Sequence, residues 1–198
     1  MDEYRTLQDM SQGLYKEKGS KFIAIAVPVD SADEVRLQLE ITRKRYHDAR
    51  HHCYAYRLGE EPYEIRYNDD GEPSGTAGKP IFGQIQSFEL TNVLIVVVRY
   101  FGGVKLGTGG LIQAYRTAAK DAVNNGMIVT KIWKARVEIR FNYLQMNDVM
   151  RIIKEENLRI ISQNIGEESS ISLEIRKGNL EVIMRKFSFV EKINCAVI

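Results

Sequence analysis

The chain has 198 residues, 44% of them hydrophobic, which is enough for one large domain or two small ones with packed cores. Its 28 basic and 26 acidic residues give a net charge of +2, so no whole-protein field indicates a nucleic-acid partner. Cys53 and Cys195 lie far apart and outside any CxxC spacing, which argues against a zinc ribbon or a disulfide scaffold. Residues 1–11 lack the apolar stretch of an export signal, and the apolar run at 93–98 is too short to span a bilayer. We therefore expect a cytoplasmic protein.

The first elements follow from local patterns. A short apolar run predicts a strand at residues 21–29. Ser31 and Glu34 have capping-box spacing ahead of helical periodicity, which predicts a helix from there to about Arg45. Residues 53–58 then indicate a second strand, with residues 63–67 as its hairpin partner.

Residues 68–80 are dense in Gly, Pro, Asp and Ser and predict a long loop. Pro80 suits the first position of a short helix, because a proline there loses no intrahelical hydrogen bond. The β-branched run at 93–98 is typical of a central strand buried on both faces. A glycine-rich segment at 102–110 follows, and small apolar residues at helical spacing predict a helix from Leu111 to about Gly126.

The amino-acid composition changes after Gly126, because proline is absent from the rest of the sequence and glycine becomes rarer. We place a domain boundary near Thr130, which predicts one domain at residues 1–129 and another at 130–198. The second domain shows strand (135–141), helix (144–156), strands (158–165 and 171–176), helix (180–186) and strand (189–197). This βαββαβ order is typical of a ferredoxin-like sandwich and makes the protein α+β.

The glycine-rich segment is the strongest candidate site, because five glycines within nine residues permit positive φ angles and close backbone approach. Backbone amides, a helix N-terminus and nearby cations would suit the phosphate of a small molecule or nucleic acid. The spacing matches neither a Walker A loop nor a dinucleotide fingerprint, and a tight structural turn is the alternative interpretation. The candidate residues are Arg99, Gly102, Gly103, Lys105, Gly107, Gly109, Gly110 and Arg116.

Two further clusters are weaker candidates. Asp69, Asp70 and Glu72, with Ser74 nearby, could hold a divalent cation such as Mg²⁺ or move a proton, although a solvated acidic turn is the commoner explanation. The only histidines of the chain fall in a second cluster, formed by His47, Asp48, His51 and His52. The His47–His51 spacing lacks the glutamate that the zinc-protease motif requires, so we assign no metal to this cluster.

Basic residues with interleaved tyrosines at 43–66 suggest an alternative surface for RNA. Such a surface would combine positive charge with stacking platforms for bases. Tyrosines in strands are often part of the core, however, and basic residues at a helix end often only complement the helix dipole.

Three motifs, at residues 48–56, 69–78 and 98–107, together resemble the IMPACT/YigZ family. The resemblance covers residues 13–126, and the rest resembles the small C-terminal domain of bacterial YigZ-type members. It implies a first domain like domain four of elongation factor G, with a left-handed βαβ crossover, and a second like the last domain of that factor. It assigns no catalytic residues.

Eukaryotic relatives in the family regulate translation during amino-acid starvation. We therefore expect a non-enzymatic regulator or accessory factor of translation or stress response that binds RNA or the ribosome through the glycine-rich segment. The alternative is an enzyme or sensor for a phosphorylated small molecule, with a divalent metal at the acidic loop. A third interpretation is a protein-interaction module whose second domain docks a protein partner.

Overall fold

A computed structural model describes residues 2–198, which divide into two compact units. One unit comprises residues 5–130, and the other comprises residues 2–4 together with 131–198. The chain mixes sheets with helices, which confirms an α+β protein. The division falls within two strands that pair as a ribbon, β1 (Glu3–Leu7) and β7 (Ile128–Ile132), neither of which the sequence pattern had indicated.

The unit of residues 5–130 is built on a five-stranded sheet in the order β2-β3-β6-β4-β5. Every neighbouring pair in this sheet is antiparallel. The strands are β2 (Ser11–Glu17), β3 (Ser20–Pro28), β4 (His51–Leu58), β5 (Glu64–Asn68) and β6 (Val93–Tyr100). The predicted hairpin of β4 and β5 and the predicted central strand are both present.

Strand β6 joins two cores, because successive side chains of a strand point to opposite faces. Val93, Ile95 and Val97 enter one cluster of buried apolar residues, while Leu94 and Val96 enter the other. Burial on both faces explains why this strand is an unbroken apolar run in the sequence.

Helix α1 (Ala32–Arg45) covers one face of the sheet and begins where the capping box predicted. The hydroxyl of Ser31 accepts a hydrogen bond from the backbone N–H of Glu34 at 3.2 Å. The carboxylate of Glu34 in turn accepts one from the backbone N–H of Asp30 at 2.8 Å. The Ser31 contact satisfies one of the donors that a helix start leaves unpaired, and the Glu34 contact holds the residue before the cap.

Helices α2 (Gly78–Ser87) and α3 (Gly107–Asn124) cover the other face. Helix α2 begins two residues before Pro80, and α3 begins at Gly107 rather than at the predicted Leu111. Glycine lowers helix propensity by about 1 kcal/mol, but the packing of the buried face of α3 outweighs that local cost.

The sequence pattern did not predict strand β2, because the small residues where this strand packs against α3 leave no apolar pattern. A Cβ at Gly13 would lie 2.3 Å from the backbone nitrogen of Ala122, so α3 can pack on this strand only if position 13 has no side chain. Close packing has replaced the hydrophobic alternation by which strands are recognised.

The other unit has the predicted βαββαβ order, with a sheet in the order β11-β8-β10-β9. Its apolar side chains face helices α4 and α5. The last strand begins at 194 rather than 189, because the N–H groups of Phe189 and Val190 bond back to Lys186 and Phe187 and prolong the helix end. The elements are β8 (Lys134–Asn142), α4 (Met146–Glu155), β9 (Arg159–Asn164), β10 (Glu168–Arg176), α5 (Leu180–Ser188) and β11 (Asn194–Val197).

Residues 2–4 belong to this unit through their side chains. Asp2 accepts hydrogen bonds from Arg176, with 2.9 Å between its Oδ1 and Nη2 of the arginine, and this contact lowers the pKa of Asp2 to about 2. The rings of Tyr4 and Trp133 stack with their centroids 3.9 Å apart. Among residues 2–198, no helix has the length and apolarity needed to cross a membrane.

Two glycines of the glycine-rich segment should respond in opposite ways to alanine. A Cβ at Gly102 would lie 1.9 Å from the carbonyl carbon of Gly19 in the β2–β3 turn, whereas a Cβ at Gly109 meets nothing within 4 Å. Gly102→Ala should therefore lower the free energy of unfolding by about 1–3 kcal/mol. Gly109→Ala should leave it unchanged or raise it by up to about 1 kcal/mol. Urea unfolding measures both, and equal stability of the two variants would contradict the packing described here.

Candidate functional site

The glycine-rich segment connects β6 to α3, and its glycines serve different purposes. Gly102 lies against the β2–β3 turn, where its N–H donates to the hydroxyl of Ser20 at 3.2 Å. Gly103 and Gly107 have φ angles of +87° and +70°, a region that favours glycine. Gly107 is also the first residue of α3, and Gly109 and Gly110 follow it in the first turn of that helix. The segment is therefore a shorter loop than predicted, followed directly by a helix start.

The N-terminus of α3 keeps its backbone donors available. Its capping position is Leu106, no side chain among residues 2–198 caps the helix, and its first turn contains no acidic residue. The first N–H groups of a helix have no intrahelical partner, and the helix dipole adds partial positive charge there. This end of α3 is suited to an anion.

Asp69 and Asp70 organise the acidic loop. Asp69 accepts three backbone hydrogen bonds at 2.8–2.9 Å, from Gly75, Ala77 and Gly78. Asp70 accepts one from the N–H of His52 at 2.7 Å. These carboxylates hold the loop against β4 and the start of α2. Ser74 is exposed nearby.

Glu72 behaves differently, because its carboxylate is buried beneath the glycine-rich segment. Its Oε1 accepts hydrogen bonds from Nη1 of Arg99 at 2.6 Å and from the hydroxyl of Tyr115 at 2.8 Å. The side chains of Glu72 and Arg99 are only 3% and 6% exposed. The acidic loop and the glycine-rich segment thus converge on one site. Arg99, expected as a free cation for phosphate, is instead paired with Glu72 because it lies at the inner end of that site.

His51 lies beside this pair. Its Nδ1 is 2.8 Å from the carbonyl oxygen of Asp70. A carbonyl can only accept, so Nδ1 carries a proton, and in the neutral ring Nε2 then keeps its lone pair. That Nε2 lies 4.0 Å from Oε1 of Glu72.

Cys53 and Tyr115 form the buried base of the site. The thiol of Cys53 donates to the carbonyl of Asp69 at 2.9 Å and lies 3.3 Å from the hydroxyl of Tyr115. Burial raises the pKa of both groups. Because a reactive cysteine needs a lowered pKa, Cys53 is here a structural thiol.

The other members of the histidine cluster make separate contacts. His52 is buried, with its Nε2 3.1 Å from the carbonyl of Tyr46. Asp48 is exposed and accepts a hydrogen bond from the hydroxyl of Tyr100 at 2.7 Å, which lowers the pKa of Asp48 and raises that of Tyr100 to about 12. His47 is exposed. Among residues 2–198, no group of three or more His, Cys, Asp or Glu side chains is placed to share a metal ion.

A cavity of about 450 Å³ opens over these groups, and we call it the cleft. Its outer lining includes Phe101, which is 54% exposed, and the exposed cations Arg50 and Lys105. Within residues 2–198, neither cation forms an ion pair. Arg116 lies on the exposed side of α3 and does not line the cleft. The remaining lining residues are His51, Glu72, Pro73, Arg99, Leu106, Gly107, Thr108 and Leu111.

Sequence reasoning missed Tyr115, which fits the apolar face of α3 and carries no local sign that its hydroxyl meets a buried carboxylate. Arg50 and Phe101 lie within the motifs at residues 48–56 and 98–107, but nothing in those motifs showed that the two side chains line one cleft. Tyr54 and Tyr56, considered as stacking platforms, are buried in the core under α1.

Removing the Glu72 carboxylate should destabilise the fold, because it leaves a buried charge without a partner. We expect Glu72→Ala to lower the free energy of unfolding by about 3–5 kcal/mol, since the Arg99 guanidinium would remain buried without a counterion. The double variant Glu72→Ala/Arg99→Met should regain part of that loss, because the unpaired charge is then absent. Urea unfolding of the two single variants and the double variant measures the coupling. Losses that simply add would contradict a direct ion pair.

Comparison with known proteins gives concordant results. A sequence profile of the Impact N-terminal domain matches residues 18–123, a range that contains the entire cleft. IMPACT family member YigZ of Escherichia coli is 32% identical over 74% of this chain and 73% of its own length. A Protein IMPACT homolog of Dictyostelium discoideum is 39% identical over 54% of this chain and 32% of its own length.

A solved structure agrees over both units. A crystal structure described as that of a hypothetical protein covers 100% of this chain and 98% of its own, with 25% identity and a TM-score of 0.76. The matched profile spans more than half of the chain, and the bacterial relative extends the match beyond it. The chain therefore belongs to the IMPACT family.

Proposed function

We propose that the protein is a non-enzymatic accessory factor of translation or stress response whose cleft binds single-stranded RNA. The observation that carries this proposal is the lining of the cleft, where an exposed aromatic ring stands beside two unpaired cations and an uncapped helix start. Proteins that bind single-stranded nucleic acid combine these features, with aromatic rings for bases and positive groups for the backbone.

Each part of the cleft has a role in this proposal. Phe101 offers a stacking surface for one base. Arg50 and Lys105, together with the first amides of α3, receive the adjoining phosphate groups. Arg99 positions Glu72 rather than serving as a free phosphate ligand, because the carboxylate offsets its charge. Membership of the IMPACT family supports the link to translation.

A phosphorylated small molecule is a second candidate, and the volume of the cleft favours it. Cavities of about 300–1,000 Å³ are typical of small-ligand sites, and the cleft falls within that range. The metal-bridged version has less support, because Asp69 and Asp70 already accept backbone hydrogen bonds. Thermal stabilisation by a nucleotide, without any effect of RNA, would favour this candidate.

Salt dependence tests the proposed phosphate contacts. Each contact to a single strand contributes about 0.7 to the slope of log affinity against log salt concentration. Lys105→Ala and Arg50→Ala should each weaken binding of a short single-stranded RNA and lower that slope by about this amount. Fluorescence anisotropy between about 50 and 200 mM salt measures it.

Lys120→Ala is the matched control, since Lys120 is exposed on α3 and outside the cleft lining. This control should keep both the affinity and the slope of the unmodified protein. RNA binding that is equally strong and equally salt-dependent in Lys105→Ala and Arg50→Ala would refute the proposed interface.

A further inference from the structure

The inner end of the cleft presents an ordered set of hydrogen-bonding groups that phosphate binding does not use. In the neutral ring of His51, Nε2 is an acceptor, because Nδ1 carries the proton that is donated to the carbonyl of Asp70. The carboxylate of Glu72 is a second acceptor, since Arg99 and Tyr115 both bond to Oε1 and no protein hydrogen bond uses Oε2 within residues 2–198.

Arg99 supplies the donor of the set. Its Nη1 is committed to Glu72, while its Nε is buried without a partner and no hydrogen bond within residues 2–198 uses Nη2. A buried polar group without a partner is costly, so spare donors on a buried guanidinium point to an acceptor that the protein does not supply. The side chain is 6% exposed and lines the cleft.

Glu72 neighbours both of the other groups, with its Oε1 4.0 Å from Nε2 of His51 and 2.6 Å from Nη1 of Arg99. Followed along these contacts, the series is acceptor, acceptor, donor. The guanidinium carbon of Arg99 lies over the Phe101 ring, 5.6 Å from its centroid, so the series lies next to the aromatic ring of the cleft.

We infer that the cleft selects guanine. The Watson–Crick edge of guanine presents an amino donor, an N–H donor and a carbonyl acceptor in sequence, which complements His51, Glu72 and Arg99 respectively. Adenine would place its N1 acceptor against the Glu72 carboxylate. Uracil would set its second carbonyl against the His51 lone pair. Proteins that read single-stranded RNA use this edge, and each well-placed contact adds discrimination.

This inference rests on the proposed function, because it names the base that the RNA-binding cleft accepts. The test uses the full chain and short uridine oligomers that carry one central guanosine, adenosine or inosine. We expect guanosine to bind about ten- to a hundredfold more tightly than adenosine. Inosine, which lacks the amino group at position 2, should bind with intermediate affinity.

Two variants separate recognition from folding. His51→Ala should weaken binding of the guanosine oligomer, because it removes the acceptor for the amino group of guanine. Binding of the inosine oligomer should stay nearly unchanged, because inosine lacks that amino group. A merely structural effect would weaken both equally. Glu72→Gln keeps the shape of the side chain but replaces one carboxylate oxygen with an NH₂ donor, and it should abolish the preference for guanosine while the salt dependence persists. Because Arg99 then lacks its counterion, urea unfolding of this variant checks that it is folded under the binding conditions.

The outcomes distinguish the two proposals. Equal affinity for guanosine, adenosine and inosine oligomers, with steep salt dependence, would overturn guanine selection and leave RNA binding standing. Guanosine monophosphate that binds as tightly as the guanosine oligomer would support guanine selection and identify a free nucleotide as the source. Absence of binding by both the oligomers and guanosine monophosphate would overturn the inference together with the proposed function.

Discussion

The buried contact between Glu72 and Arg99 determines the arrangement of the site. Glu72 belongs to the acidic loop, and Arg99 is the second-last residue of the central strand β6. Their ion pair therefore brings two segments that are distant in the sequence to the same cavity. A charge this deeply buried is tolerated only when it is paired and hydrogen-bonded, and Tyr115 completes the pairing. The loop that carries Glu72 is held in place by the backbone hydrogen bonds of Asp69 and Asp70.

The three neighbouring acids Asp69, Asp70 and Glu72 have different roles, and this difference determines which hydrogen-bonding groups the cleft presents. Two carboxylates shape the loop, and the third faces the ligand space with an oxygen to spare. The cationic groups are likewise divided. Arg99 is paired at the inner end of the cleft, whereas Arg50 and Lys105 line its outer part and form no ion pair with the residues that the structure describes. A ligand with a hydrogen-bonding base and a phosphate matches such a gradient, with its neutral part inside and its anionic part towards solvent.

The sequence predicted most of the framework, because local physics determines it. The Ser31 capping box, the β4–β5 hairpin and the apolar run of β6 each carry a short-range pattern. Strand β2 was missed since Gly13 replaces a hydrophobic residue where α3 packs closely. The site was predicted only as separate motifs. Whether Arg99 would meet a phosphate or a carboxylate depends on contacts between residues 27 positions apart, for which no local pattern exists.

The most direct test of the central claim is to observe where RNA binds. Amide chemical shifts of the ¹⁵N-labelled full chain, followed during titration with a short single-stranded RNA, report this position by position. The account predicts that the shifts concentrate at residues 50–51, 72–73 and 99–110, the segments that line the cleft. Shifts concentrated at residues 43–46 or in the unit of residues 131–198, with the cleft amides unmoved, would contradict it.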